Sequence, residues 1–318
     1  MSAVILAHGD ADGVTAAAVA RAALGAGDVV FTHPAGLLGD FREFARGYQL
    51  AVIVDVSLDE ASLAELAAEL RRFPGRVIYI DHHPLPPRGF PGAPNVVLVH
   101  EEGPCAAELA FRHFRPAWEM SRVALYGAIG DHALGTPWVR EAMASWDIKT
   151  LYLEAGVLTL ALERIGRNHD EKRRIVASLA RGELPSSIPG LVHLALEQAR
   201  AIEEMRLKLP GMLRTSELLA VVINPPASVG AAAFYAAVVS GKPVGVAVEE
   251  RRGLYVGSAR ARDPRVDLNA ALRASAVEVG GTGGGHPQAA GFRVPADRFE
   301  GFLALLEGAL RRQLQAQA

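Results

Sequence analysis

Cysteine is nearly absent: Cys105 is the only one in 318 residues. That excludes an internal disulfide and any multi-cysteine zinc site, so metal chemistry would have to rest on carboxylate and imidazole. Long apolar runs are missing too. No stretch reaches the roughly 18 uncharged apolar residues of a membrane-spanning helix, and the first residues read as a strand, with no basic region leading to a cleavage site. The expectation is a cytoplasmic protein with no membrane association. Nor is there an excess of charge: a formal net charge of -2 and a pI near 6.6 argue against coating long nucleic acid by electrostatics alone, which needs clustered Lys and Arg. A local basic groove remains open. With half its residues hydrophobic and no internal repeat, the chain has enough to bury the cores of two ordinary domains or one large one.

The first part alternates short apolar runs with amphipathic segments. Ala3 to Ala7, Val29 to Thr32, Leu50 to Val56, Arg76 to Ile80 and Asn95 to His100 read as strands, with helical patterns between them. Runs such as AVIVDV and RVIYID are apolar at nearly every position, which suits parallel strands covered on both faces. A doubly wound α/β domain follows. The pattern turns helical between Ala117 and Leu184, and LPSSIPG at Leu184 to Gly190 reads as an interdomain break. A connecting helix is expected from Leu191 to about Leu209, stopped by Pro210-Gly211. Beyond it LLAVVIN, PVGVAVEE, GLYVGSAR and AGFRVP read as strands of a smaller α/β domain, with helices at Gly230 to Ser240 and at the C-terminus. The glycine-rich patch GGTGGGH, Gly280 to His286, is expected to be a loop. The boundaries that result are 1–185, a linker over 186–212, and 213–318.

The residues able to carry chemistry fall in four clusters, three of them at inferred strand ends, where an open parallel sheet binds its ligands. His8, Asp10 and Asp12 follow the opening strand in AHGDADG, and an extended loop would place both aspartates on a common side. The bland alternative is a capping carboxylate in an Asp-Gly turn. Asp55 ends an almost wholly apolar strand, as a helix cap or as a site group. Asp81-His82-His83 follows another such strand and can supply a metal ligand, a partner that orients it, and a phosphate contact or acid. A polar turn before the proline-rich stretch at Pro84 would use the same residues. Asp131-His132 closes ALYGAIGDH, where a helix-end aspartate is ordinary. Taken together these clusters converge on one edge of one sheet. Mixed carboxylate and imidazole ligands suit Mn or Zn, and oxygen-rich positions suit Mn or Mg. Two such ions about 4 Å apart serve phosphoester hydrolysis best, activating a water and stabilising the attacking and leaving oxygens.

The second domain offers Gly280 to His286, where backbone N–H groups can approach a phosphate and His286 can add a hydrogen bond or charge. A merely flexible loop is the alternative. Ser258 and Arg260 end a strand with a hydroxyl and a guanidinium suited to a phosphate, unless the arginine is simply exposed.

HGDADG, VIVDVS, IDHH, GAIGD and GGTGGGHPQAAGF, in that order, resemble the DHH-family phosphoesterases whose C-terminal domain carries a GGGH signature, such as RecJ-like exonucleases and small oligoribonucleases. The resemblance covers essentially the whole chain. It implies that His8, Asp10 and Asp55 hold one manganese and that Asp12, Asp55, His82 and Asp131 hold the other, with Mg2+ or another divalent cation as substitute. It further implies that Asp81 supports its neighbouring imidazole, that His83 faces the scissile phosphate, and that Gly283, Gly284, Gly285 and His286 clamp a terminal nucleotide, with Ser258 and Arg260 nearby. The active site is then expected in a cleft between the two domains. One departure is that many relatives place the first histidine four residues before the first ligand aspartate, whereas His8 lies two before Asp10. HGDADGVTAA is closer to archaeal RecJ-like proteins than to oligoribonucleases, whose motif continues as Asp-Ala-Leu-Gly-Ser.

What the resemblance implies is a manganese-dependent exonuclease that removes mononucleotides from single-stranded DNA or RNA. The runner-up is a phosphoesterase of very short oligonucleotides, phosphoadenosine phosphate or cyclic dinucleotides. The modest length and the lack of basic charge favour a short binding track, while Arg251, Arg252, Arg260 and Arg262 could hold several phosphates. A third reading is a Cdc45-like scaffold, with replication or repair proteins as partners; the filled acidic positions argue against a pure scaffold.

Overall fold

The computed structural model describes residues 2–86, 89–90 and 92–316. It divides into two compact units, 1–197 and 198–318. The first runs β1 (Ala3–Ala7), α1 (Ala11–Leu24), β2 (Asp28–Phe31), α2 (Leu37–Phe44), β3 (Leu50–Val54), α3 (Leu63–Arg72), β4 (Arg76–Asp81) and β5 (Val96–His100). A helical half follows: α4 (Ala106–Phe114), α5 (Ser121–Gly130), α6 (Pro137–Met143), α7 (Ile148–Ile165) and α8 (His169–Ala180). The five strands pair in parallel in the order β2-β1-β3-β4-β5.

Uniformly apolar strands fit this sheet because both faces are covered. Val4, Leu6, Ala51, Ile53, Val77 and Tyr79 pack against α2 and α3. Their neighbours Ile5, Ala7, Val52, Val54, Ile78 and Ile80 point the other way, into a core shared with α1, α4, α5, α7 and α8. Truncating a fully buried residue such as Ile53 to alanine would cost about 2–5 kcal/mol. The strand order reverses between β1 and β3, so β1 leads to β2 on one side and the chain then crosses to β3 on the other. Such a switch point leaves a crevice at the carboxyl ends of those two strands.

The helix expected after LPSSIPG is α9 (Leu191–Lys208), closed by a 3-10 turn at Leu209–Gly211. The break itself is tucked inward: Ile188 and Leu191 are buried in the first unit's core. Met205 and Leu209, further along, belong to a core of the second unit.

The second unit runs β6 (Arg214–Thr215), β7 (Leu219–Ile223), α10 (Val229–Ser240), β8 (Val244–Arg251), β9 (Leu254–Ala261), α11 (Leu268–Glu278), β10 (Thr282–Gly285), β11 (Ala289–Pro295) and α12 (Phe299–Gln315). Its mixed sheet has the order β10-β11-β9-β8-β7-β6, with β7 and β8 parallel. α11 and α12 cover one face and α10 packs on the other.

The glycine patch is a correction to the sequence reading. Thr282–Gly285 is strand β10, paired antiparallel with β11, where a loop was expected. Glycine is a poor strand former, but here the backbone passes too close to its neighbours for any side chain. A Cβ on Gly283 would lie 3.0 Å from the Leu272 carbonyl oxygen, and one on Gly285 would lie 2.8 Å from Ala290 Cα. Gly285 also has φ 145°, outside the range an L-residue adopts comfortably.

Candidate metal centre

The carboxyl edge of the first sheet gathers eight of the sequence-derived residues. His8 and Asp10 leave β1, Asp12 sits in the first turn of α1, Asp55 follows β3, Asp81 to His83 follow β4, and Asp131 caps the C-terminus of α5. Asp12, Asp55, Asp81 and His82 are buried, whereas Asp10 stands at the exposed rim.

Asp10 and Asp12 do not share a side, contrary to the expectation from an extended loop. α1 begins at Ala11, so the helical turn separates the two carboxylates. Asp10 is indeed the N-cap, accepting from Gly13 N at 3.1 Å, and its other oxygen lies 2.9 Å from His8 Nδ1. The bland and the functional readings of this residue therefore hold together, because a carboxylate has lone pairs for both. Asp12 turns inward. Its two oxygens accept from Ala106 N at 2.7 Å and Ala107 N at 2.8 Å, at the N-terminus of α4, where the helix dipole and unpaired N–H groups favour an anion.

Asp55 has φ 59°, a left-handed conformation that aspartate tolerates better than most residues. The turn sends its side chain back into the cluster. His8 Nδ1 is 3.7 Å from Asp55 Oδ2, and His82 Nε2 is 3.4 Å from Asp55 Oδ1 and 3.6 Å from Asp12 Oδ2. His82 Nδ1 lies 3.8 Å from Asp131 Oδ2. Asp81 holds His83, two residues on, through a 2.9 Å contact to Nδ1. His100 Nε2 in turn meets the His83 carbonyl oxygen at 2.8 Å.

Within the first unit three groups have ligand atoms that all lie within 4.8 Å of one another: His8, Asp10 and Asp55; Asp12, His82 and Asp131; Asp55, Asp81 and His83. Asp55 belongs to two of them, as a bridging ligand would. Burial and the nearby Asp10 and Asp12 carboxylates push the Asp55 carboxyl well above the usual carboxylate range, and burial likewise raises Asp12. The buried Asp55 Oδ2 makes no hydrogen bond among the described residues. So many carboxylates in one desolvated place repel one another, and only positive charge lets them all ionise. The mixed donor set fits borderline divalent cations of the manganese and zinc kind. His83 has the opposite character: burial works against its charge, but Asp81 wins and raises it to about 9.

Two supports were not found from sequence. Lys172 on α8 is buried and donates to the Gly9 carbonyl oxygen, holding the loop between His8 and Asp10; nothing in HDEKRR sets one lysine apart. Gly127, the first glycine of GAIGD, leaves room for Asp12. A Cβ there would lie 2.4 Å from Thr15 Oγ1 and 2.8 Å from Asp12 Oδ1.

The remaining predicted residues assemble in the second unit. Gly284, Gly291 and Ser258 face one another across β10, β11 and β9. His286 closes the β10–β11 turn, exchanging backbone hydrogen bonds with Ala289 at 3.0 and 3.2 Å, and Ala289 is the register partner of Arg260. Arg260 donates to Ser258 Oγ and, at 3.0 Å, to the Ala259 carbonyl. Asn269 Oδ1 accepts from Gly285 N at 3.2 Å. The glycine strand and the Ser-Arg pair thus form one patch of this sheet.

Two family models match the chain: the DHH family, N-terminal domain, over residues 2–134, and the DHHA1 domain over 218–312. Among solved structures the chain is similar to RecJ of Thermus thermophilus in complex with Mn2+, at a TM-score of 0.71 and 23% identity, covering 98% of this chain and 52% of that one. It therefore spans about half the length of that RecJ. It is also similar to an exonuclease RecJ bound to manganese, at 0.65 and 23%, covering 98% and 90%. A third is a pGpG-specific phosphodiesterase of Vibrio cholerae, at 0.57 and 13%, covering the whole of both chains. At these identities the likeness is one of fold. No curated protein matches the sequence.

Proposed function

This chain belongs to the DHH family, as a metal-dependent phosphoesterase with a DHHA1 domain, and from that premise we propose that it is an exonuclease hydrolysing single-stranded DNA or RNA to mononucleotides. The observation that carries the reading is the cluster at the switch point, with Asp55 common to two potential ligand groups and His83 set beside it. His8, Asp10 and Asp55 would hold one ion, and Asp12, Asp55, His82 and Asp131 the other, manganese in preference to magnesium. When bound, the two ions supply a nucleophile at neutral pH and charge to offset the phosphate.

The protein's own groups do the rest. Asp81 keeps His83 protonated and fixes its ring through Nδ1, so that Nε2 can donate to a phosphate oxygen or to the departing sugar oxygen. Backbone N–H groups at the start of α4 hold Asp12, and Lys172 holds Gly9, so the ligands are placed before substrate arrives. In the second unit the glycine strand, His286, Ser258 and Arg260 form the surface for the terminal nucleotide: a strand without side chains admits a sugar-phosphate closely, and the guanidinium supplies charge.

The likeness to two RecJ structures over nearly all of this chain supports a nucleic-acid strand as substrate. The near-zero net charge and the likeness to a pGpG-specific enzyme favour the second reading, a phosphodiesterase of di- and short oligonucleotides. A manganese-dependent hydrolysis series with 5′- and 3′-labelled strands, DNA and RNA, from dinucleotides to about 30-mers, tests both. Stepwise shortening of long strands is expected; activity confined to the shortest substrates would replace the exonuclease by the second reading.

A further inference from the structure

A cavity of about 690 Å³ lies in the first unit between the end of β5 and α4, a size that accommodates a nucleotide. It is not lined by any of the potential metal ligands. Its walls include three aromatic side chains, Phe111, Trp118 and Trp138. Phe111 packs against both tryptophans, with ring centroids 5.8 Å and 5.1 Å apart, while Trp118 keeps 41% of its surface exposed. Its indole N–H donates to Ser145 Oγ at 3.3 Å, and an indole tethered in this way yet part exposed offers a surface for stacking. Charge stands beside it. Arg112 is committed to Glu101 and Glu108, but Arg115, also lining the cavity and exposed, forms no ion pair among the described residues. One end of the cavity reaches the catalytic edge: His100, in its wall, bonds the carbonyl of His83.

We propose that this groove binds a nucleoside phosphate, with its base on Trp118 and its phosphate against Arg115. The two sources of such a group are a nucleotide of the substrate strand beyond the scissile bond, which rests on the phosphodiesterase reading, and a free mononucleotide.

Tryptophan fluorescence tests this directly, because the sequence has three tryptophans and the third, Trp146, is fixed elsewhere, bonded to Ser121 at 3.0 Å and covered by Arg122. In a Trp146→Phe background, with EDTA preventing turnover, the protein is titrated with adenosine monophosphate and with a 10-mer of single-stranded DNA. Saturable quenching is expected, its affinity, read from the remaining Trp138, weakened about tenfold by Trp118→Ala, in line with the loss of one base stack, and weakened also by Arg115→Asn. Asparagine is chosen because Arg115 has φ 50°, which asparagine tolerates; this exposed change keeps the test valid if Trp118→Ala misfolds. Absence of quenching by both ligands, or affinities that neither variant alters, would overturn the proposal. Quenching by the 10-mer alone, with KM raised for the 10-mer and unchanged for a dinucleotide, assigns the groove to the strand. Quenching by adenosine monophosphate, with its inhibition of dinucleotide hydrolysis lost in the variants, assigns it to a free nucleotide. Manganese-dependent hydrolysis without quenching removes the groove alone, and quenching without hydrolysis removes the catalytic reading alone.

Discussion

Replacing Asp81 by asparagine keeps the shape of the side chain and removes its charge from beside His83. In the wild-type protein burial opposes the imidazolium but Asp81, 2.9 Å away, raises it to about 9. Without that carboxylate the burial remains, opposed by the more distant Asp131 and Asp10, so the imidazole should titrate well below about 9, towards its ordinary value near 6.5. The gap between about 9 and 6.5 corresponds to about 3 kcal/mol. Because the folded-state value is raised, this stabilisation is fully present below about pH 6.5 and disappears as pH climbs through about 9. The catalytic consequence follows from populations. In the metal-free protein at pH 8 about nine-tenths of wild-type His83 carries its proton, and a return towards 6.5 in Asp81→Asn would leave a small minority charged. Turnover that depends on the imidazolium should therefore fall further in Asp81→Asn at pH 8 than at pH 6. Two assays check this: proton NMR titration of the His83 ring in the metal-free protein, and the pH profile of kcat/KM at saturating manganese. A His83 titration unchanged in the variant, or an alkaline limb that stays in place, would refute the assignment of Asp81 as the group that keeps His83 charged.

Three further outcomes are expected. Asp55 has a raised carboxyl, so the folded state binds that proton more tightly than the unfolded one and the metal-free protein loses stability as pH rises above about 4. Asp55→Asn, compatible with φ 59°, should then melt higher than wild type at pH 8 without metal, match it near pH 4, and no longer gain from added manganese; a wild-type response to manganese would count against a bridging role. Gly127→Ala forces a Cβ to within 2.4 Å of Thr15 Oγ1 and 2.8 Å of Asp12 Oδ1. It should cost about 1–3 kcal/mol and weaken manganese binding, measured by calorimetry, and unchanged affinity would show that Asp12 needs no such room. Lys172→Met strands the Gly9 carbonyl, for an expected loss of about 1–3 kcal/mol in urea denaturation; a loss below a few tenths of a kcal/mol would mean the contact contributes nothing.

The contrast between what the residues announced and what they concealed has a physical pattern. Strands β1, β3 and β4 were legible because burial on both faces demands an unbroken apolar run, and the carboxylates that follow such runs, whether or not they also cap a helix, all fall at the carboxyl edge of the sheet. Hence His8, Asp55 and the Asp81 to His83 cluster could be placed together from spacing alone. What spacing could not give was orientation. Asp10 and Asp12 look alike in HGDADG, yet the start of α1 between them sends one to the rim beside His8 and the other inward to the N-terminus of α4, which is set by packing between elements nearly a hundred residues apart. The same holds for the glycines. In Gly280 to His286 composition alone suggests freedom, whereas the backbone is a paired strand whose glycines are required by close neighbours on α11 and β11. Lys172 was invisible for a related reason: its sequence surroundings are those of a solvated helix face, and only the docking of α8 over the loop after β1 turns one of several basic residues into a support for the centre. Local pattern therefore brings together the groups able to carry chemistry, while the groups that hold them in place are selected by tertiary contact and leave little trace in the sequence.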